Sequence, residues 1–339
     1  MTATVTVSVV TVAYGAEPWL ERGVHASLAS EDEVVEVVLV DHGCTDGAVD
    51  RLDGTPGVTV VRPGDNTGFA GGCNLGAAHS TAPIIAFVNP DAIVEPDALA
   101  VLAAEVRRTG GIATACVVLA DRPDLVNSAG NEFHFLGLSW SGGFEEPVAD
   151  HQVAKSTIAA SGAGMAMTSE LFATLGGFCD EFFAYYEDAD LSIRAHQLGH
   201  PVRYLPGARI VHRYEFGRNE KKFFLLDRNR WLTLLSCYAG RTLIVLAPLL
   251  IAQEVALWAL AVAQGWAGSK RRSYAWLWSH REWIRERRSQ VQSVRVVGDR
   301  ELSPLIRGRL DPANLELPAW AGPASSALDW IWRGLRQVI

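Results

Sequence analysis

The run Val34–Val40, VVEVVLV, constrains this chain more than any other feature. Six of its seven residues are Val or Leu, so both faces of the strand it predicts are apolar. Strands covered on both faces belong to parallel sheets layered with helices. Ile84–Val88 and Ile112–Leu119 repeat the character, while Thr4–Val12 and the short Val58–Val61 add two more strands. Helical patterns fill the gaps: Pro18–Leu28, Gly71–His79, and Glu95–Arg108 stopped at Gly110-Gly111. This alternation predicts an open, mostly parallel α/β sheet with helices on both faces. Ligands of such sheets bind outside the carboxyl ends of the strands.

Beyond residue 120 the pattern loosens into short strands and turns until about 165. Ser169–Leu175 then reads as a helix after a Ser cap, and Asp188–Leu198 as a helix closed by Gly199. Val202–Tyr204 and Arg209–Val211 read as short strands, and Phe223–Tyr238 as a helix. With 49% hydrophobic and 20% charged residues the chain is not disordered. Its five cysteines are scattered with no CxxC pair, which excludes a disulfide framework and a structural zinc site. The N-terminus lacks a basic n-region, so a reduced, cytoplasmic setting is expected.

The net charge of −8 is unevenly spread: −14 over residues 1–264, +7 over 265–309 and −1 over the rest. Between Arg241 and Lys270 the one charge is Glu254. That stretch is long enough to span a bilayer, which takes ~20 apolar residues. Pro248 and Gln253-Glu254 favour a helix lying in the interface, with a span and a buried core helix as alternatives. The following segment interleaves Trp276, Trp278 and Trp283 with seven Lys and Arg residues, as suits an anionic membrane surface.

Five clusters carry chemistry. Asp41 and Asp46 lie in VDHGCTDG after the second strand; they could hold a base, ribose or metal, or cap a helix. The loop Asn66–Gly76, NTGFAGGCNLG, has glycines that permit close backbone approach to phosphate or close helix–sheet packing. It is neither a Walker loop nor GxGxxG. Asn89-Pro90-Asp91 ends the fourth strand and offers a carboxylate for a hard cation. In GGFCDEFFAYYEDADLSIR, Glu187, Asp188 and Asp190 open a helix behind an aromatic run, placing a carboxylate where it could accept a proton; a capping box with packed aromatics is the plainer reading. His212, ending a strand, is a candidate metal ligand or a structural histidine.

In this order the residues resemble an inverting family 2 glycosyltransferase of the GT-A fold, over roughly residues 5–235. The Gly-Phe-Ala-Gly-Gly loop with Asn-Pro-Asp is similar to that of bacterial rhamnosyltransferases and their galactofuranosyl-transferring relatives. The resemblance implies Asp188 as catalytic base. It implies Mg²⁺ or Mn²⁺ on Asp91 and His212, and Asp41 at the base or ribose. It further implies Tyr14, Asp46, Gly68, Phe69, Gly71, Asn74 and Asn89 on the donor side, and Glu187, Asp190 and Arg194 on the acceptor side. Asn89 stands where an Asp-x-Asp motif has its first carboxylate; His42 and Cys44 stand where Asn and Ser are usual.

The expected activity is transfer of a sugar, rhamnose from dTDP-rhamnose, to a polyprenyl-diphosphate-linked glycan for cell-envelope polysaccharide. A galactofuranosyl or other hexosyl donor on UDP or GDP is the alternative. Residues 1–238 would be the transferase domain and 239–339 a helical region attached to the cytoplasmic face of the membrane. The expected partners are the nucleoside-diphosphate sugar, the lipid-linked glycan and an anionic membrane, with no nucleic acid. Three other classes compete. A nicotinamide oxidoreductase needs a GxGxxG that Ala13-Tyr14-Gly15-Ala16 does not supply. An inactive carbohydrate- or lipid-binding protein would not need Asp91, Asp188 and His212. A nucleotidyltransferase would release pyrophosphate.

Overall fold

The computed structural model describes residues 4–214, 221–311 and 321–339. The chain divides into two compact units. One holds residues up to 131, 141–195 and 200–214; the other holds 132–140, 196–199 and the chain from 215 on. The expected boundary at 238 differs from this division, which gives residues 222–237 to the second unit.

Strands β1 (Val7–Gly15), β2 (Val35–Cys44), β3 (Val58–Val61), β4 (Ile84–Val88), β5 (Ala92–Val94), β6 (Ile112–Leu119) and β7 (Val126–Ser128) come first. A hairpin of β8 (Asn131–Phe133) and β9 (Ser139–Ser141) follows, then β10 (Lys155–Ser156), β11 (Gly164–Thr168) and β12 (Val202–His212). The main sheet runs β10-β12-β6-β11-β4-β1-β2-β3, with β5 added to β12 and β7 to β6. β1 is parallel to β2 and β4, β2 to β3, and β6 to β12; β11 is antiparallel to both β4 and β6. β1, β2, β3, β4, β6 and β12 therefore point one way, and their carboxyl ends share one edge.

The helices of this unit are α1 (Leu20–Leu28), α2 (Ala48–Leu52), α3 (Gly68–His79), α4 (Ala98–Thr109), α5 (Ser169–Thr174) and α6 (Glu187–Gln197). The period of two along each strand sends alternate residues to opposite layers. Val9, Val37 and Leu39 pack with Leu20 and Val24 of α1 and Leu99 and Leu102 of α4. Val10, Val38 and Val40 pack on the other face with Cys73 of α3, Phe172 of α5 and Leu191 of α6.

Four local readings change. The expected short strands 202–204 and 209–211 are one strand, β12, whose register against β6 shifts between Leu205 and Arg209 around Pro206-Gly207. Ala92–Val94, expected to run into a helix at Glu95, is a strand of its own, and α4 starts at Ala98. α5 is capped by Thr168, whose Oγ1 accepts from the Leu171 amide at 3.0 Å, rather than by Ser169. α3 begins at Gly68, three residues before the expected start, and its glycines are contact surfaces: a Cβ on Gly76 would overlap Val10 Cγ1 and crowd Val40 Cγ2.

The second unit is helical: α7 (Lys222–Cys237), α8 (Gly240–Ala263), α9 (Ala267–Ser279), α10 (Arg281–Ser293), α11 (Asp299–Leu302) and α12 (Ala321–Leu335). α8 runs unbroken through Pro248. Glu254 on α8 pairs with Arg230 of α7 and, at 2.7 Å, with Lys270 of α9; Lys270 also meets Asp227 at 2.7 Å. Arg230 and Lys270 are buried. Phe135 of the hairpin stacks on Trp332 of α12 with centroids 4.9 Å apart.

Gly76→Ala tests the α3 contact. Alanine in a free helix gains ~0.8–1.0 kcal/mol over glycine, but overpacking against Val10 costs ~1–3 kcal/mol. A net loss of stability is expected in urea unfolding, and a raised midpoint would contradict the packing.

Candidate active site

β4 ends at Val88, the chain turns through Asn89-Pro90-Asp91, and β5 then pairs antiparallel to β12 with Ala92 opposite His212. That register carries Asp91 to the end of β12. His212 Nε2 lies 3.0 Å from Asp91 Oδ1 and 3.3 Å from Asn89 Nδ2. Its Nδ1 lies 2.9 Å from Asn127 Oδ1, on buried β7. An amide oxygen can only accept, so Nδ1 donates to it. Nε2 is left facing the Asp91 carboxylate and the Asn89 side-chain amide. One imidazole and one carboxylate fit a divalent cation that takes its other ligands from phosphate oxygens. Among the described residues no three His, Cys, Asp or Glu side chains converge as a metal site.

Asp188 lies in the first turn of α6 and is half-buried. Its Oδ2 accepts from Asn131 Nδ2 at 2.8 Å and from the Gly162 amide at 3.0 Å, and its Oδ1 accepts from the Ala189 amide at 2.7 Å. Burial raises its pKa above the ordinary aspartate value, against the pull of these three hydrogen bonds and its own backbone amide. Gly162 precedes β11, whose Gly164 is opposite Val88 of β4, and the Asn89 amide reaches Ala163 O at 3.5 Å. The segment 161–163 therefore adjoins both Asp188 and the Asn89–Asp91 turn.

The approach to α6 is strained. Phe183, Tyr185 and Tyr186 have φ of +61°, +70° and +71°, a region uncommon for bulky side chains. The start of α3 supports this loop. The Ala70 amide donates to Phe183 O at 3.1 Å, and a Cβ on Gly68, itself at φ +77°, would overlap Phe183. Asn74 donates to Phe178 O at 2.8 Å and to Asp180 Oδ1 at 2.6 Å, and accepts from the Phe178 amide at 2.9 Å. Phe69 is half-buried and faces Gly162, where a Cβ would come within 3.3 Å of its ring. Gly71 abuts Thr67.

Tyr14, Asp41 and Asp46 gather at the ends of adjacent β1 and β2, where Gly15 is opposite Cys44. Tyr14 is 67% exposed. Asp41 Oδ1 accepts from the Gly43 and Cys44 amides at 2.9 and 2.8 Å, while Arg62 lies 3.7 Å from Oδ2. Burial alone would raise the Asp41 pKa; the two amides and Arg62 outweigh it and hold the carboxyl below its usual value. Asp46 accepts from the Glu17 and Ala48 amides at 2.9 and 3.1 Å.

The expected acceptor-side residues are placed differently. Asp190 is fully buried and pairs with Arg194 at 2.8 Å; Arg194 also donates to the carbonyls of Leu175 and Gly177. Both are spent inside the chain, pinning the Gly176-Gly177 turn to α6. Glu187 is buried and its Oε2 has no partner among the described residues. Burial, helped by the nearby Asp188 charge, pushes its pKa well up.

Sequence reasoning missed Asn127, Asn131 and Gly162. The two asparagines sit in the loosened region after residue 120, where no periodicity marks them. Gly162 was visible only as one more turn glycine.

Residues 8–176 match the family model described as glycosyl transferase family 2. This span includes Asp41, the Gly68–Asn74 segment and Asp91, and ends before Asp188 and His212. No curated protein is significantly similar to the chain. Among solved structures it resembles GalNAc-T7 with UDP, GalNAc and Mn²⁺, at a TM-score of 0.58 and 16% identity over 71% of this chain and 49% of that one. The chain thus spans about half the length of that structure. It also resembles the mannosyltransferase PcManGT from Pyrobaculum calidifontis in complex with GDP-Man and Mn²⁺, at a TM-score of 0.50 and 20% identity over 86% of each chain. These likenesses establish the fold as GT-A. The family match makes residues 8–176 a region of glycosyl transferase family 2 type.

Proposed function

We propose that the chain is an inverting glycosyltransferase that moves a sugar from a nucleoside diphosphate to a glycan hydroxyl, with Asp188 as base. The observation that carries this is a half-buried carboxylate of raised pKa at a helix start, joined through residues 161–163 to the Asp91–His212 pair. Asp188 would take the proton of the acceptor hydroxyl as its oxygen attacks the anomeric carbon. The bond to the diphosphate breaks on the opposite face, and the configuration inverts in one displacement. Asp91 and His212, with Asn89 beside them, would hold Mg²⁺ or Mn²⁺, which when bound neutralises charge on the diphosphate. Tyr14, Asp41 and Asp46 would line the nucleoside side, and Phe69 would face the sugar beside Gly162. Asp190 and Arg194 would hold α6 rather than touch the acceptor, and Glu187 would abut Asp188.

The proposed donor is dTDP-rhamnose, on the likeness of the Gly-Phe-Ala-Gly-Gly loop and Asn-Pro-Asp to rhamnosyltransferases. UDP- and GDP-sugars are the second reading, favoured by the UDP- and GDP-Man-bound relatives, both with Mn²⁺. The proposed acceptor is a polyprenyl-diphosphate-linked glycan on the cytoplasmic face of a membrane. α8 supports this: it is the one helix among the described residues long and apolar enough to cross a bilayer, with a mean hydropathy of 2.1. Ile244, Ile251, Val255 and Val262, at helical spacings of seven, four and seven, are all more than 60% exposed. Beside them lies a cleft of about 420 Å³ lined by Trp231, Leu235, Leu243, Leu250, Val255 and Trp258. Glu254 also lines this cleft and is tied to Arg230 and Lys270, and a charge at the middle of α8 favours lying in the interface over spanning. Exposed Arg271, Arg272, Arg281 and Arg285 on α9 and α10 would meet anionic headgroups.

Three outcomes are expected. Asp188→Asn should lower turnover ~10²–10⁴-fold, the range for loss of a general base, while calorimetry finds nucleotide binding within a few-fold of wild type. Undiminished turnover in the folded variant would refute the assignment. Asp91→Ala and His212→Ala should each weaken Mn²⁺ binding in the presence of nucleoside diphosphate, read by electron paramagnetic resonance. Asn127→Ala should cost ~10–100-fold in the same titration, as loss of a ligand's orienting partner does; unchanged affinity in all three would dismiss the site. The full-length protein should co-sediment with anionic vesicles, and Ile251→Asp with Val255→Asp should release it. Equal recovery in the supernatant with anionic and neutral vesicles at low salt would rule attachment out.

A further inference from the structure

Asp188 is held by one side chain from outside its own helix, Asn131 of β8, and that side chain is itself fully constrained. Asn131 Nδ2 donates to Asp188 Oδ2 at 2.8 Å and to Ala160 O at 3.2 Å. Its Oδ1 accepts from Ser128 Oγ at 3.2 Å. Its backbone is fixed too: the amide donates to Ala159 O at 2.8 Å, and the carbonyl accepts from Thr157 Oγ1 at 3.3 Å. The amide group is therefore locked with its donor aimed at the carboxylate. Oδ2 receives a second N–H, from Gly162, at 3.0 Å. Two donors occupy the two lone pairs of Oδ2. Oδ1 receives one backbone N–H from a neighbouring residue, Ala189, at 2.7 Å.

We propose that Asn131 is a positioning residue that saturates Asp188 Oδ2, so that Oδ1 is the atom that takes the acceptor's proton. The inference rests on the reading of Asp188 as base. The step balances within one displacement. The hydroxyl proton passes to Oδ1, and the hydroxyl oxygen's electron pair forms the new bond to the anomeric carbon. The pair of the old carbon–oxygen bond leaves with the nucleoside diphosphate. Asn131 has a second effect through the same contact. A donor aimed at a carboxylate favours its charged form. It opposes the burial that raises the carboxyl's pKa. The other ionisable groups at this carboxylate, Glu187 and Asp190, are on α6 itself. Burial raises the pKa of Glu187, and Asp190 is paired with Arg194.

The test is a carbon-13 titration of the aspartate carboxyls in the full-length protein, with the Asp188 signal identified by its loss in Asp188→Asn. Asn131→Ala should move the Asp188 midpoint up by about one pH unit, the scale of one hydrogen bond to a charged group. Asn131→Asp, nearly isosteric, should move it further by adding a like charge; it also serves if the alanine variant does not fold. With dTDP-rhamnose, release of dTDP should show a fall in kcat whose acid limb moves up with the midpoint, at an unchanged KM. A side chain that only supports the fold would lower activity equally at every pH. An Asp188 midpoint unmoved in both variants overturns the proposal, whatever their activity. Full turnover by Asp188→Asn would instead sink the base assignment, a separate failure read in a separate variant.

Discussion

The contact on which the site depends is the clamp between Asn74 of α3 and the segment Phe178–Asp180. Three hydrogen bonds from one side chain amide hold a loop that then passes through Phe183, Tyr185 and Tyr186 at positive φ. Backbone in that region persists only where neighbours over-determine it. Gly68 lets Phe183 come into contact with the start of α3, and the Ala70 amide takes its carbonyl. Arg194 of α6, paired with Asp190, holds the same end through the carbonyls of Leu175 and Gly177. The loop is pinned from both sides, and α6 begins where it ends. The position of Asp188 is thus a consequence of a motif more than a hundred residues earlier in the chain.

This gives the Gly-rich segment a different physical meaning from a phosphate cradle. Gly72 and Gly76 bring α3 against Val12 and Val10 of β1, and Gly68 admits Phe183. Both readings of such glycines were open from the sequence, since close helix–sheet packing and close ligand approach need the same missing Cβ. The structure supplies the packing contacts. Asp41 and Asp46 show a related economy. Each spends oxygen lone pairs on local amides, as turn-forming aspartates do. Asp41 is thereby kept ionised and fixed at the carboxyl edge of the sheet.

The sheet was legible because its strands are apolar on both faces and its polar clusters follow directly on strand ends. Val34–Val40, Ile84–Val88 and Ile112–Leu119 needed no partner information to be recognised. The meeting of Asp91 with His212 needed the register of β5 on β12, and β5 has three residues, too few to show a period. Asn127 and Asn131 lie on three-residue strands for the same reason. Asp190 and Arg194 read as site residues because charge in a motif suggests contact with ligand. Their i, i+4 spacing equally permits a pair with each other, and burial decided for the pair.

Glu254 illustrates how a lone charge in an apolar run can mislead. Within residues 242–269 it reads as an obstacle to membrane insertion and as a break in an otherwise uniform helix. In the second unit it is the acidic partner of Arg230 and Lys270, which with Asp227 make a buried group of two cations and two anions on α7, α8 and α9. Removing one member of such a group typically costs ~3–5 kcal/mol, because the others keep their desolvation without their partner. The charge therefore fixes the rotation of α8 about its own axis. With Leu246 and Leu250 buried and Glu254 held by Arg230 and Lys270, Ile244, Ile251, Val255 and Val262 are left exposed. The same residue that argues against a span through the bilayer produces the continuous apolar face that a helix lying in its surface requires.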